Sequence, residues 1–356
     1  MLDKVATVAD AMLELPDSLE AVNDHFYRQG WTDGLPVIPP TLERVERMLG
    51  GMAWLAPDTM IGTIPPAMGA ATLRSVAINA VMAGCLPEYL PVVVAALRAV
   101  LEKQYGLAHR QTTTHAGAPL IIVNGPVVEK LGLNYGNGVF GPGWRPNATI
   151  GRALRLALVN IGGAVPAEVD FCQHGHPGKY TFCIAEHEKA NPWEPLHVER
   201  GFDRDDSVVT VVNAEAPHSM TENVRTDPIE IIRTFADTMA GLGGNNLYSQ
   251  GHPALVLGVE HAQHIAAAGW TKLDIQKAVF EMARRPWRLV RNRGKSNGPF
   301  FPQWVDKNDD NAMVPIINEP RDLIVLVAGG AGGKSMWCAT AGAQSLSVSK
   351  PVETGA

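Results

Sequence analysis

Residues Pro119 to Asn124 form an unbroken apolar run that ends in a single Asn and is closed by Gly125 and Pro126, and a short helical stretch from Val127 to Leu131 follows. A strand with one solvated face alternates apolar and polar residues, so an unbroken run predicts a strand covered on both faces. The unit recurs: Ala254 to Gly258 leads into a helical stretch from Glu260 to Ala268, and Leu323 to Ala328 leads into a glycine loop. Repeated strand-then-helix units predict an α/β fold, with a mainly parallel or mixed sheet flanked by helices. Tyr180 to Ala185 and Ser207 to Asn213 alternate more and read as further strands, antiparallel ones among them.

Helical patterns occupy Leu19 to Gln29, Leu42 to Leu49 behind the N-cap Thr41, Ala70 to Cys85, Glu88 to Lys103 and Ala148 to Asn160. Between the first two, three prolines from Pro36 to Pro40 impose an extended segment. The segments Ala80 to Gly84 and Asp237 to Gly241 end two helices with a shared Met-Ala-Gly, and each precedes a histidine-bearing loop (His115, His252) that enters an apolar strand. This pattern suggests two similar α/β halves. The expected division is an N-terminal extended and helical arm over 1–60, a first half over 61–205 and a second over 206–356, with a cleft between the halves.

With 30 Lys and Arg against 36 Asp and Glu, the chain carries a net charge of -6, which argues against a nucleic-acid binder. One local run, Arg284 to Lys295, is strongly basic and is followed by Phe300, Phe301 and Trp304; an intersubunit contact or a solvated face is its favoured reading. Four cysteines without a CxxC pair read as reduced thiols. The first ten residues carry acids where a secretory leader needs a basic start, and the apolar stretch Leu90 to Leu97 falls far short of the ~20 residues that span a bilayer. A cytoplasmic protein without a membrane partner is expected. The 35 glycines and 26 prolines mark many tight loops, where chemistry usually sits.

The densest polar cluster is Asp170, Cys172, His174, His176, Lys179 and Tyr180, followed by Cys183, Glu186, His187, Glu188 and His197. In an extended segment Asp170, Cys172, His174 and His176 would share one face. His174, His176, Glu186 and His197 are then candidate ligands for zinc, iron or manganese. Without metal, His174, His176, Lys179, Tyr180 and Glu186 remain candidate acid, base and polarising groups, and Cys172 is a candidate nucleophile beside His174. The glycine loop from Asn134 to Gly143 leads to Arg145, Asn147 and Arg152, where a helix start would favour an anion; His115 adds a donor. These four are the candidate substrate-binding residues. The loop Gly329 to Ser335 lacks the first glycine of a P-loop and too little chain follows it for a nucleotide-binding core, so no nucleotide is expected.

The phrases Trp31 to Val45, Gly178 to Cys183 and Glu260 to Gln276 resemble bacterial proteins associated with the UGSC group of cysteine or selenocysteine proteins. The resemblance runs over most of the chain and implies a bacterial cytosolic enzyme subunit acting on a small molecule. The namesake motif, a Cys or selenocysteine followed by Gly-Ser-Cys, is absent here, which argues against thiol or selenol redox chemistry. The expectation is a hydrolase or lyase for a small anionic molecule, with acid/base histidines and a divalent transition metal as one way of assisting it, working as a homo-oligomer or in a multisubunit complex. The alternatives are a redox subunit of a thiol or selenol reductase and a noncatalytic assembly subunit.

Overall fold

The structure, a computed structural model, describes residues 12–340 and 346–355. The ten N-terminal residues read for a leader lie outside the described residues. The strands are β1 (Met60–Ile64), β2 (Gly69–Thr72), β3 (Ala118–Asn124), β4 (Cys183–Ala185), β5 (Val208–Ala214), β6 (His218–Thr221), β7 (Ala254–Leu257), β8 (Arg284–Pro286), β9 (Met313–Pro315), β10 (Ile324–Val327), β11 (Lys334–Cys338) and β12 (Val348–Pro351). Two four-stranded sheets dominate, in the orders β12-β5-β3-β4 and β10-β7-β11-β6. In each, one pair is parallel (β3 with β4, β7 with β10) and the others are antiparallel. The sheets are therefore mixed, and β4, at the end of the alternating Tyr180 to Ala185 stretch, is parallel to its neighbour.

Alternation along β3 shows how the layers stack. Leu120 and Ile122 meet Val212, Val256 and Leu326 in a core between the two sheets. Ile121 and Val123 point the other way, into a core built with the helices Leu73–Ala83, Leu90–Leu101 and Arg145–Asn160. On the far sheet, Leu255, Leu257, Val325 and Val327 face Pro228–Met239, Val259–Ala267 and Lys272–Met282. The result is helix, sheet, sheet, helix. Ile122 is fully buried between the sheets, so truncating it to Ala would cost about 2–5 kcal/mol.

Local chemistry sets the element boundaries. Helix Leu73–Ala83 starts three residues later than its apolar pattern suggests because Gly69–Thr72 pairs with β1, and Thr72 with Ser75 forms a reciprocal cap at the junction. Gly84, at φ 90°, ends the helix in a conformation that costs a side chain dearly. Nine of its eleven residues are buried, as their small size allows. The N-terminal arm is pinned by Arg152, whose guanidinium holds Asp33 at 2.7 and 2.8 Å and the carbonyl of Pro36 at 2.9 Å. The basic run is tied down locally: Arg284, Arg285 and Arg291 pair with Glu281, Asp237 and Asp310, and Trp287 packs on Phe301.

The two sheets share one topology. Reading β3, β4, β5 against β7, β10, β11 matches the parallel and antiparallel pairings one for one. The fourth strand of each sheet follows, in the chain, a strand of the other sheet: β6 follows β5 but edges the second sheet, and β12 follows β11 but edges the first. Because β5 belongs to the first sheet, a division at 205/206 does not separate the two sheets. Equivalent serines mark the repeat. Ser207 accepts the N–H of Val127 beyond β3, and Ser335 accepts that of Gly258 beyond β7. The halves are thus laced together by exchanged edge strands.

Candidate functional site

Because β3 and β4 are parallel, their carboxyl ends lie together, the place where loops of an open α/β sheet gather chemistry. Here they open into a cleft of about 230 Å³, lined by Gly125, Pro126, Glu129, Tyr135, Glu186, Glu188, Lys189 and Arg204. The glycine loops converge on the same end. Gly329 donates to the Tyr135 carbonyl, and His187 donates to Val327 at the end of β10.

Asn124, the last residue of β3, is the hub of the cleft. Its amide Nδ2 donates to Glu186 Oε2 at 2.6 Å and to Glu188 Oε1 at 3.1 Å, so two carboxylates share one donor. Glu186 is almost fully buried and also accepts from Asn191 Nδ2 at 2.8 Å and from the Leu196 N–H at 2.7 Å. Burial pushes its carboxyl above the ordinary range, and the Lys272 charge and the two hydrogen-bond donors only partly offset that. Glu188 is the more open of the two and takes the Gly125 N–H at 2.7 Å. Two carboxyls in unlike surroundings are the usual basis for dividing acid and base roles.

Behind Glu188 stands His197, wholly buried. Its Nε2 lies 3.2 Å from the carbonyl oxygen of Arg204, which can only accept, so Nε2 carries a proton. Nδ1 faces Glu188 Oε1 across 3.9 Å and has no hydrogen-bond partner among the described residues. At the rim, Lys189 and Tyr135 both engage Glu129, at 2.7 and 2.9 Å. Arg204 is exposed, and its guanidinium makes no ion pair among the described residues.

The other sequence candidates lie elsewhere. The loop holding His174, His176, Lys179 and Tyr180 packs at the opposite end of β3, where Gln173 donates to the Thr114 carbonyl. A seven-residue strand separates the two groups by about 20 Å. His174, His176, Glu186 and His197 therefore do not form one coordination sphere. Among the described residues no three His, Cys, Asp or Glu side chains are grouped to hold a metal ion. The shared face of Asp170, Cys172, His174 and His176 is also lost, because residues 171–176 form a loop with bends and not a strand, and Gly175 takes φ +65° between the two histidines. Asp170 turns inward between Arg155 and Lys179, Cys172 accepts the Gly175 N–H, and His174 and Tyr180 are exposed. His176 caps the turn Pro177–Lys179 through Nδ1, and burial lowers its basicity.

The proposed anion site at the helix start is occupied by the protein itself. Trp144, and not Asn147, precedes the helix; Asn147 is its third residue and ties the glycine loop to β4 through Asn134 and the Cys183 carbonyl. Arg145 holds the Gly84 carbonyl at 3.0 and 2.9 Å, and Arg152 holds the arm. His115 pairs with Glu215 at 2.7 Å beside a crevice of only about 20 Å³, room for little more than one water. That volume favours the larger cleft at the other end. Three thiols, Cys85, Cys183 and Cys338, are buried and pushed up from their ordinary pKa, Cys85 and Cys338 to about 12. Ser335 of the glycine loop is the second residue of strand β11, where a P-loop would open a helix, and its hydroxyl is held by His261 at 2.8 Å.

Sequence reading thus found Glu186 and His197 but missed Asn124 and Glu188. The available signal was a polar residue ending an otherwise apolar strand, and a second Glu three residues past β4. No protein-family model matches this chain, and no curated protein matches it. Among the described residues, no helix is long and apolar enough to cross a membrane.

Proposed function

We propose that the protein is a hydrolase or lyase whose chemistry begins with proton removal by Glu188, from water in the first case and from carbon in the second. The observation that carries this reading is the pair Glu186 and Glu188 sharing the Asn124 amide at the wall of a 230 Å³ cleft. Glu188 is open to the cleft and held by two N–H donors, which fix its direction. Once protonated, its hydroxyl has an acceptor waiting in His197 Nδ1, and a contraction of about 1 Å makes that hydrogen bond. Glu186, its proton favoured by burial, is the companion acid. Arg204 is the cation placed to hold a single anionic group of a small substrate.

The test is a turnover screen of small carboxylate and phosphate compounds with the wild-type chain and two variants. Glu188→Gln should lower turnover by about 100-fold or more with unchanged unfolding temperature, and Arg204→Ala should raise KM more than it lowers kcat. Turnover unaffected by Glu188→Gln would refute the assignment.

A further inference from the structure

Ser347, His252 and Asp322 form an ordered array, and none of them lines the cleft. Ser347 Oγ lies 2.9 Å from His252 Nδ1, and the Ser347 backbone N–H points at the same nitrogen from 3.2 Å. A backbone N–H only donates, so Nδ1 is the lone-pair nitrogen and the serine hydroxyl is the second donor. The imidazole proton then sits on Nε2, facing Asp322 Oδ1 at 3.5 Å. Asp322 is itself held by the N–H groups of Asn318 and Glu319 at 3.0 and 3.2 Å. Hydroxyl, base and orienting carboxylate thus stand in the sequence that activates a serine, with the two ring nitrogens exchanged relative to the usual triad.

From this arrangement we propose that Ser347 is a nucleophile for acyl transfer, with esters or thioesters as its substrate class, at a second centre separate from the cleft. Burial and the nearby Arg200 charge keep the imidazole neutral at pH 7, as a general base must be. The side chains of His252 and Asp322 are 19% and 14% exposed while Ser347 itself is buried at 4%, so the array meets the surface through its histidine and carboxylate. The other serine and histidine pair shows what a structural version looks like. His261 donates or accepts with Ser335 at 2.8 Å, but its second nitrogen meets the Glu222 carbonyl in place of a carboxylate, and Ser335 is occupied by the Gly258 N–H.

In the step itself, Ser347 Oγ bonds to the acyl carbon while its proton passes to His252 Nδ1. The bond to the leaving alcohol or thiol then breaks, and that group takes the proton back. Water attacks the acyl-serine by the same route and releases the acid. The probe is an alkyl fluorophosphonate, in which Oγ replaces fluoride on phosphorus and hydrogen fluoride leaves. Intact mass should show one adduct per folded chain, mapped to Ser347, absent in Ser347→Ala and at least tenfold slower in His252→Gln. Glu188→Gln should label at the wild-type rate, which separates this centre from the cleft. Ser347→Cys should exchange phosphonate labelling for fast alkylation by iodoacetamide at that position. No adduct on the wild-type chain, or an adduct that survives in Ser347→Ala, overturns the proposal.

Discussion

Lys179 Nζ sits 2.8 and 2.7 Å from the two carboxylate oxygens of Asp170. Arg155 adds a second cation to the same carboxylate at 3.0 Å, and the Asp170 side chain is only 4% exposed. Lys179 is therefore held in the fold by Asp170. Removing one partner of such a cluster strands the others, and Asp170→Asn should destabilise the protein by about 3–5 kcal/mol. Urea unfolding measures this directly; a loss below 1 kcal/mol would mean that solvent already screens the cluster.

Much of the fold could be read from the sequence, and the unread part has a physical cause. The run Pro119 to Asn124 announced a strand covered on both faces, and β3 is one. That run does not say what covers it: a layer of helices and a second sheet both select Leu120 and Ile122 in the same way. The exchange of β6 and β12 left no local mark either, since pairing Val348–Pro351 with β5 joins residues more than 130 positions apart. At the site, closeness along the chain groups Glu186 and His197 with His174 and His176. Strand β4, running parallel to β3 between the two sets, then carries the chain from one end of β3 to the other and places them apart. Asn124 was hidden as the end of an apolar strand, and its role depends on β4 arriving parallel beside it.

Gly125 couples the cleft to the fold. It takes φ +84°, and a side chain there would run into the backbone carbonyl of Asp206. Its N–H is also one of the two donors that aim Glu188. Gly125→Ala should cost about 1–3 kcal/mol for the strained backbone alone, with the clash adding to it, and should lower turnover at the cleft beyond what the stability loss explains. Gly132→Ala is the control, because Gly132 has φ +66° and open space around it. Equal losses of stability in the two variants would remove the clash from the account.

His252 should govern part of the acid limb of stability. Burial first, and then the Arg200 charge, lowers its pKa from 6.5 to about 4. Asp322 and Ser347 are its other polar neighbours. Above pH 6.5 the imidazole is neutral in both folded and unfolded chains. As pH falls from 6.5 to 4 the unfolded chain binds a proton that the folded chain refuses, so stability drops by about 3 kcal/mol over that interval. In His252→Gln this portion of the decline should vanish while Asp322 stays in place. Urea midpoints at pH 7.5, 5.5 and 4.5 measure the difference, and parallel curves for the two proteins would contradict it.

Glu186 should show the opposite dependence. Its folded pKa is raised by burial above an ordinary value near 4.5. Below 4.5 it is protonated whether folded or not, and its favourable contribution is complete. As pH rises past 4.5 the unfolded chain releases a proton that the folded chain still holds, so stability falls by about 1.4 kcal/mol per pH unit until the folded group ionises too. Glu186→Gln has no proton to lose, yet its amide faces donors at Asn124, Asn191 and Leu196, and at low pH that mismatch should cost about 1–3 kcal/mol. The gap between wild type and variant should therefore narrow as pH rises from 4.5. Thermal unfolding of both proteins across pH 4 to 8 follows the gap, and one that widens with pH would place Glu186 among the ordinary ionised carboxylates and remove it as the companion acid.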